Sequence, residues 1–310
     1  MKIYPLSVKA VEPEEFRMFL NRALERDFIT KHMFKRTLID DPNLTDDLIL
    51  MAYEGNTLIG ALIGVYRSKA PPEYVEKQKN VAWIKALGIH PKYRSDKVFE
   101  KLLEEFIDQA KSDGKDTIRF SDFASWHFFP GLDIRYEYYL QKFLKQGFTK
   151  SADVVDYEVD LLFLYLPRTA EKREEKLREE GVVFRELNAY EKERIAAWAA
   201  EKFSPCWGIE ASMALEEPEG GVWVAEKDGK ILGFSVYGAT EPNWFGPIGV
   251  DSAVRGRGIG TVLLYKSLES LRVRGYRYIV IPWTGHLFFY TQLPGVKSIR
   301  HYWILEKKLK

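Results

Sequence analysis

Apolar and polar positions along this chain follow two periods, one near 3.6 and one near 2, and the switches between them mark its elements. Residues 3–9 read as a short strand. Glu12-Pro13-Glu14-Glu15 then opens a helix with acidic residues in its first turn, and Phe16, Phe19, Leu20 and Leu24 fall on one face of it. Residues 48–53 and 57–66 flank Glu54-Gly55-Asn56 as a hairpin. The apolar run 81–89 predicts a buried strand, 90–97 a loop, and 98–112 a helix with Phe99, Leu102, Leu103, Phe106 and Ile107 on its inner face. Further strands are expected at 117–123 and 153–164, separated by a helix over 132–146 that Gly147 ends.

The stretch 167–180 breaks this rhythm. TAEKREEKLREE carries opposite charges four residues apart and little apolar surface, which predicts a solvated linking helix. After it the order starts again: a strand at 182–187, a helix at 190–203, and a hairpin of 221–225 and 231–237 about Glu226-Lys227-Asp228-Gly229-Lys230. A short apolar strand, a glycine-rich turn and an amphipathic helix occupy 246–274. A strand at 276–282, a loop at 283–287, a short helix at 288–293 and a strand at 297–309 follow. The same sequence of elements thus occurs twice at a period near half the chain, which indicates an internal duplication. The expected division is 1–165, a charged linking helix at 166–181, and 182–310.

The glycine turn is the most chemically informative stretch. Arg255-Gly256-Arg257-Gly258-Ile259-Gly260 joins a strand to a helix, so the backbone can approach a ligand closely. The free N–H groups of the helix start favour a di-anion such as a pyrophosphate. Pro247 and Pro282 sit in what read as neighbouring parallel strands, where proline cannot donate to a ladder, and Gly246 and Gly249 weaken the first strand further. The two strands are therefore expected to part locally, leaving backbone groups free for a ligand.

With its strand and helix in place, RGRGIG resembles the acetyl-CoA motif of the GCN5-related N-acetyltransferase (GNAT) superfamily, with Arg255, Gly258 and Gly260 at the motif positions. Phe289-Tyr290 in FFYTQLPGV is similar to a downstream aromatic element of the same family. The resemblance implies an α/β fold of two tandem GNAT domains, each a mixed, mostly antiparallel sheet flanked by helices with a splayed parallel strand pair. It also implies acetyl-CoA as co-substrate. The cofactor-binding set it implies is Ile248, Gly249 and Val250 on the strand, with Arg255, Gly256, Arg257, Gly258, Ile259, Gly260 and Thr261 at the turn. Tyr290 takes the place of the family tyrosine that protonates the leaving thiolate. The position where many members carry a glutamate is held by Gly249; Glu241, Asp251 and His286 are nearby base candidates, and a water chain to a distant carboxylate is the alternative. The reaction implied is direct acetyl transfer to the primary amine of a small molecule, in a ternary complex. The alternative is a non-catalytic acyl-CoA sensor or interaction module.

The first half departs from the motif. Aligning PKYRSDKVFEKLL with SAVRGRGIGTVLL puts Arg94 at Arg255, but Lys97 and Phe99 replace Gly258 and Gly260, and Asp96 repels an anion. The N-terminal half is expected not to bind coenzyme A in the usual way. Trp126–Gly131 with Asp133, Arg135 and Tyr136 read as a structural loop with a satisfied Asp133–Arg135 pair, or as the lining of a pocket for the acceptor or a regulatory ligand.

Composition narrows the partners. Of 310 residues, 46 are Lys or Arg and 45 Asp or Glu, a net charge of +1 that gives no basic surplus for nucleic acid or acidic lipid. A single cysteine, Cys206, excludes an internal disulfide and fits a reducing, cytoplasmic setting. No His, Cys and carboxylate cluster has metal-ligand spacing. No apolar run suits a signal peptide or a membrane span, and a homodimer is left open.

Overall fold

The computed structural model describes residues 1–309. In chain order its first elements are β1 (Lys2–Pro5), α1 (Pro13–Ala23), α2 (Lys31–Phe34), β2 (Ile49–Glu54), β3 (Thr57–Tyr66), α3 (Pro72–Val75) and β4 (Val81–Ile89). These are followed by α4 (Asp96–Ser112), β5 (Thr117–Phe120), β6 (Leu132–Asp133), α5 (Glu137–Lys145) and β7 (Thr149–Asp160). The second half contains α6 (Arg168–Glu179), β8 (Val183–Glu186), α7 (Lys192–Lys202), α8 (Pro205–Glu216), β9 (Gly221–Lys227) and β10 (Lys230–Tyr237). It closes with β11 (Phe245–Val250), α9 (Ile259–Val273), β12 (Tyr278–Thr284), α10 (Leu287–Tyr290) and β13 (Val296–Lys308).

Two compact units result, one of Met1–Val154 with the segment from His301, the other of Val155–Arg300. These bounds differ from the expected 1–165 and 182–310, because each of the long strands β7 and β13 gives one end to each unit. In the first unit β1, β2, β3 and β4 pair antiparallel in sequence order, and β4 pairs β5 in parallel, Val81 opposite Thr117 through Ile84 opposite Phe120. The far side of β5 is covered by β13, Leu305 opposite Phe120 and Lys308 opposite Thr117. The second unit has a four-stranded antiparallel sheet in the order β11-β10-β9-β8, and a separate antiparallel pairing of β12 with β7.

Amphipathic helices close both sheets. Helix α4 buries Val98, Phe99, Leu102, Leu103 and Phe106, and α9 buries Val262, Leu263, Leu264, Leu268 and Leu271. The duplication is visible atom by atom. Gly60 of β3 lies opposite Ile89, and Gly233 of β10 lies opposite Val250. A Cβ at Gly60 would meet Leu102 Cδ1 at 3.0 Å, and one at Gly233 would meet Leu263 Cδ1 at 3.2 Å. Leu102 and Leu263 are equivalent in the alignment of the two halves, so each glycine admits the same leucine to the sheet.

Some elements differ from the sequence expectation. The helix expected over 132–146 is shorter, because Leu132 and Asp133 pair with Trp303 and Tyr302 of β13 instead. Helix α8 was not anticipated; Ser204 caps it and accepts from Trp207 N–H at 3.3 Å. Helix α6 is not solvated all round. Its stripe of Ala170, Glu174 and Leu177 is buried, Glu174 pairing with Lys266 of α9 at 2.9 Å and Leu177 packing with Ile259, Val262 and Leu263. Counting charges alone missed this stripe, because its middle member is a glutamate with a partner. Among the described residues no helix is long and apolar enough to cross a membrane.

Candidate active site

The expected parting of strands occurs in the second unit. Among the described residues the chain just before β11 meets β12 at a single parallel bridge, Trp244 with Val280, where Val280 N–H donates to Asn243 O at 3.1 Å. Among the described residues β11 is paired from Phe245 onward only on its β10 side, through Ile248 opposite Ser235, Gly249 opposite Phe234 and Val250 opposite Gly233. Asp251 N–H bonds to Leu232 O at 2.9 Å on that side. Because successive N–H groups of a strand alternate in direction, Gly249 also turns its N–H to β10, while Ile248 and Val250 turn theirs to the open edge. Arg255 reaches the same edge and donates from Nε to Val250 O at 3.1 Å. The expected three-residue edge therefore has two donors; Gly249 is not one of them.

At the end of this edge lies the turn. Gly256 and Gly258 have φ of +82° and +90°, the left-handed region that side chains disfavour, which explains glycine at both positions. Gly258 caps α9, and the first intrahelical bond is Val262 N–H to Gly258 O at 3.1 Å. The N–H groups of Ile259, Gly260 and Thr261 thus precede any helical acceptor and carry the positive end of the dipole. A Cβ at Gly260 would come no closer than 3.5 Å to Val250 Cγ2 and 3.7 Å to Phe289 Cζ, so protein packing alone does not require glycine there. Two N–H groups on an open strand edge, three at a helix start, and room above Gly260 make a slot that fits an amide-bearing chain ending in a di-anion. Arg257 at its rim is ion-paired with Glu180, the C-cap of α6.

Helix α10 brings the aromatic element to this slot. Phe289 stands beside Gly260, and Tyr290 packs on Phe289 at 5.0 Å, Tyr157 at 5.6 Å and Phe245 at 6.3 Å between ring centroids. Tyr290 is 6% exposed, and burial, helped by the neighbouring Tyr157, raises its phenol above the usual value. A phenol so placed keeps its proton throughout the neutral range.

The three base candidates fare differently. Asp251 accepts from Ala253 N–H at 3.0 Å and pairs with Lys202 at 3.2 Å; these contacts lower its pKa and suit it to capping the short turn after β11. His286 is exposed at the start of α10, its N–H bonded to Thr284 Oγ1 at 3.1 Å. Glu241 is buried. The position of the family glutamate is filled from above: the Phe203 ring lies against Gly249 closely enough that a Cβ would enter it. Phe203 belongs to a group with Trp198, Trp207 and Phe234, its centroid 4.9 Å from Trp207 and 5.7 Å from each of the others. Sequence reasoning missed this contact. The first unit repeats the arrangement: Gly88, the counterpart of Gly249, likewise admits Ala23 and Leu24 at the end of α1.

In the first unit the corresponding turn is closed by its own side chains. Arg94 pairs with Glu25 at 2.7 Å, Asp96 pairs with Lys142 of α5, and Phe99 is fully buried, 5.0 Å from Phe143. Beyond the β4–β5 ladder the gap is filled by Phe129, Leu132, Tyr136, Tyr139 and Tyr302 around a cavity of about 20 Å³, room for a water molecule. Asp133 and Arg135 form their expected pair at 2.7 Å. Among the described residues no group of three or more His, Cys, Asp or Glu side chains is placed to hold a metal ion.

The sequence pattern of the acetyltransferase (GNAT) family matches residues 12–130 and again 179–288. No curated protein sequence matches the chain. Among solved structures, one similar in fold is a GCN5-related glucosamine N-acetyltransferase region of a fungal multi-domain GH3 β-N-acetylglucosaminidase, at 17% identity and a TM-score of 0.77. It is matched over 99% of this chain but 38% of its own, so this chain spans well under half of that protein. A tandem GNAT protein from the clavulanic acid biosynthesis pathway matches over 99% of this chain and 98% of its own, at 15% identity and a TM-score of 0.70. A GCN5-related N-acetyltransferase from Sphaerobacter thermophilus matches over 99% and 95%, at 14% identity and a TM-score of 0.66. With its pattern present twice and its strand order duplicated, the chain belongs to the GNAT acetyltransferase family as a tandem member.

Proposed function

We propose that the second half of this protein is an acetyl-CoA-dependent N-acetyltransferase that acts on the primary amine of a small molecule by direct transfer in a ternary complex. The observation that carries the reading is the open edge of β11 running into the unpaired N–H groups of Ile259, Gly260 and Thr261. Ile248 and Val250 would hold the amides of the pantetheine arm, and the turn from Arg255 to Thr261 its pyrophosphate. The donor supplies an activated acetyl thioester; the protein supplies position and a proton. Tyr290, kept protonated by burial, is the acid that returns a proton to the leaving sulfur. The first half, with Arg94 and Asp96 already paired, serves as scaffold and takes up no donor.

No carboxylate stands at position 249, so the amine must reach the site neutral. The partly exposed rings of Trp198, Phe203 and Trp207 favour this by desolvating an ammonium group. The acid limb of kcat/KM should then follow the pKa of the acceptor, shifting when one amine is exchanged for a more or less basic one.

The filled position at Gly249 is also what favours a second reading, a sensor that binds acyl-CoA without turnover. Thiol release from acetyl-CoA over a panel of aliphatic, sugar and aromatic amines separates the two. Turnover on any amine supports the transferase; stoichiometric binding of coenzyme A with no thiol release on any of them supports the sensor.

A further inference from the structure

Arg173 lies exposed midway along α6 and, among the described residues, has no ion-pair or hydrogen-bond partner. Its aliphatic stem nevertheless has a fixed seat. A Cβ built on Gly258 would stand 2.7 Å from Arg173 Cδ and 3.3 Å from Cγ, so the stem lies directly on the left-handed glycine that caps α9. Glu180, at the C-cap of the same helix, holds Arg257. Seven helical positions separate the two residues, a rise of about 10 Å. One side of α6 therefore spans the glycine turn with a free cation at one end and a carboxylate at the other. The helix cannot drift, because Leu177 is packed among Ile259, Val262 and Leu263, and Glu174 is paired with Lys266.

The charge pattern has a direction. A guanidinium presents a planar fork of donors that matches phosphate oxygens, and Arg173 brings one to the rim of the N–H cradle. Glu180 does the opposite, occupying the guanidinium of Arg257 and adding negative charge at the negative end of the α6 dipole. We propose that α6 is a working part of the donor site, with Arg173 binding a phosphate oxygen of the donor and Glu180 opposing that binding by holding Arg257. The proposal rests on the coenzyme A reading above. When the donor enters, Arg257 exchanges its carboxylate partner for phosphate.

Calorimetric titration of the full chain with coenzyme A tests this, using wild type, Arg173→Ala, Arg173→Lys and Glu180→Gln. Loss of one charge-assisted contact should weaken Arg173→Ala by roughly ten- to a hundred-fold. Arg173→Lys should recover part of the loss, and Glu180→Gln should bind several-fold more tightly. The thermal midpoint of Arg173→Lys should match wild type, because the stem on Gly258 is kept and the exposed guanidinium has no partner to lose. Wild type and Arg173→Ala binding within two-fold of each other, or weaker binding by Glu180→Gln, would overturn the proposal alone. So would equal losses in both Arg173 variants accompanied by a lower midpoint, the mark of a merely structural role. No binding by wild type would overturn the donor reading and this proposal with it.

Discussion

Gly249 and Phe203 share one volume, and the glycine gives way to the ring. Gly249→Ala should therefore destabilise the protein by about 1–3 kcal/mol, the usual cost of overpacking, seen as a lower midpoint in urea. Gly249→Glu should cost more and should not create a working base; a faster enzyme of unchanged stability would contradict that. Tyr290 tests the chemistry more directly. Tyr290→Phe keeps the ring contacts with Phe289 and Tyr157 and removes only the hydroxyl, so kcat should fall by about a hundred-fold with coenzyme A affinity unchanged. An unchanged kcat would remove Tyr290 from the mechanism. The turn and the parting of the strands were legible in advance, for physical reasons. Gly256 and Gly258 advertise their left-handed turn, and Pro247 and Pro282 advertise two strands that part from each other. The Phe203 contact was not legible, because a glycine that makes room for a distant side chain looks the same as one that makes room for a ligand.

Among elements, β8 and α7 are fastened at their ends by charge. Arg185 pairs with Glu191 at 2.6 Å and Glu226 at 2.7 Å, and Glu191 also closes the capping box with Asn188 that starts the turn into α7. Arg185, against a smaller opposing effect of burial, lowers the Glu191 pKa to about 2. Its unfolded value is about 4.3, so the folded value is depressed and the stabilisation is fully present above the unfolded value. It is lost as pH falls from there towards 2. Urea midpoints of wild type should drop over that window more steeply than those of Glu191→Gln, and parallel curves would show that the cluster contributes nothing. Helix α6 teaches the complementary lesson about reading sequence. TAEKREEKLREE looks solvated because charge dominates it, yet Ala170, Glu174 and Leu177 form a docking stripe once Lys266 neutralises the glutamate. Periodicity counted on apolar residues alone does not see a stripe with a paired carboxylate in its centre.

For the molecule as a whole, the duplication in the element order is borne out, while the boundary between the compact units is not where composition changes. The charged stretch 167–180 invited a cut there, but a strand that pairs far away along the chain leaves no local trace, and β13 is such a strand. Residues 301–308 supply Tyr302, Ile304 and Leu305 to the core of the first unit and complete its sheet beside β5. A fragment of residues 1–165 should accordingly show no cooperative unfolding transition. A separately supplied peptide of residues 296–309 should restore protection of the β5 amides to hydrogen exchange, and cooperative folding of 1–165 by itself would refute this.

The closing strand also gives the protein a schedule. A ribosome delivers residue 308 long after residue 154, so the unit begun first is finished last. Until then β5 presents the row of N–H and C=O groups from Thr117 to Phe120 that β13 will cover, an edge open to other chains and to proteases. Interrupted synthesis would therefore leave no usable half. A product stopped between residues 154 and 301 would keep that bare edge and be prone to pair with other chains.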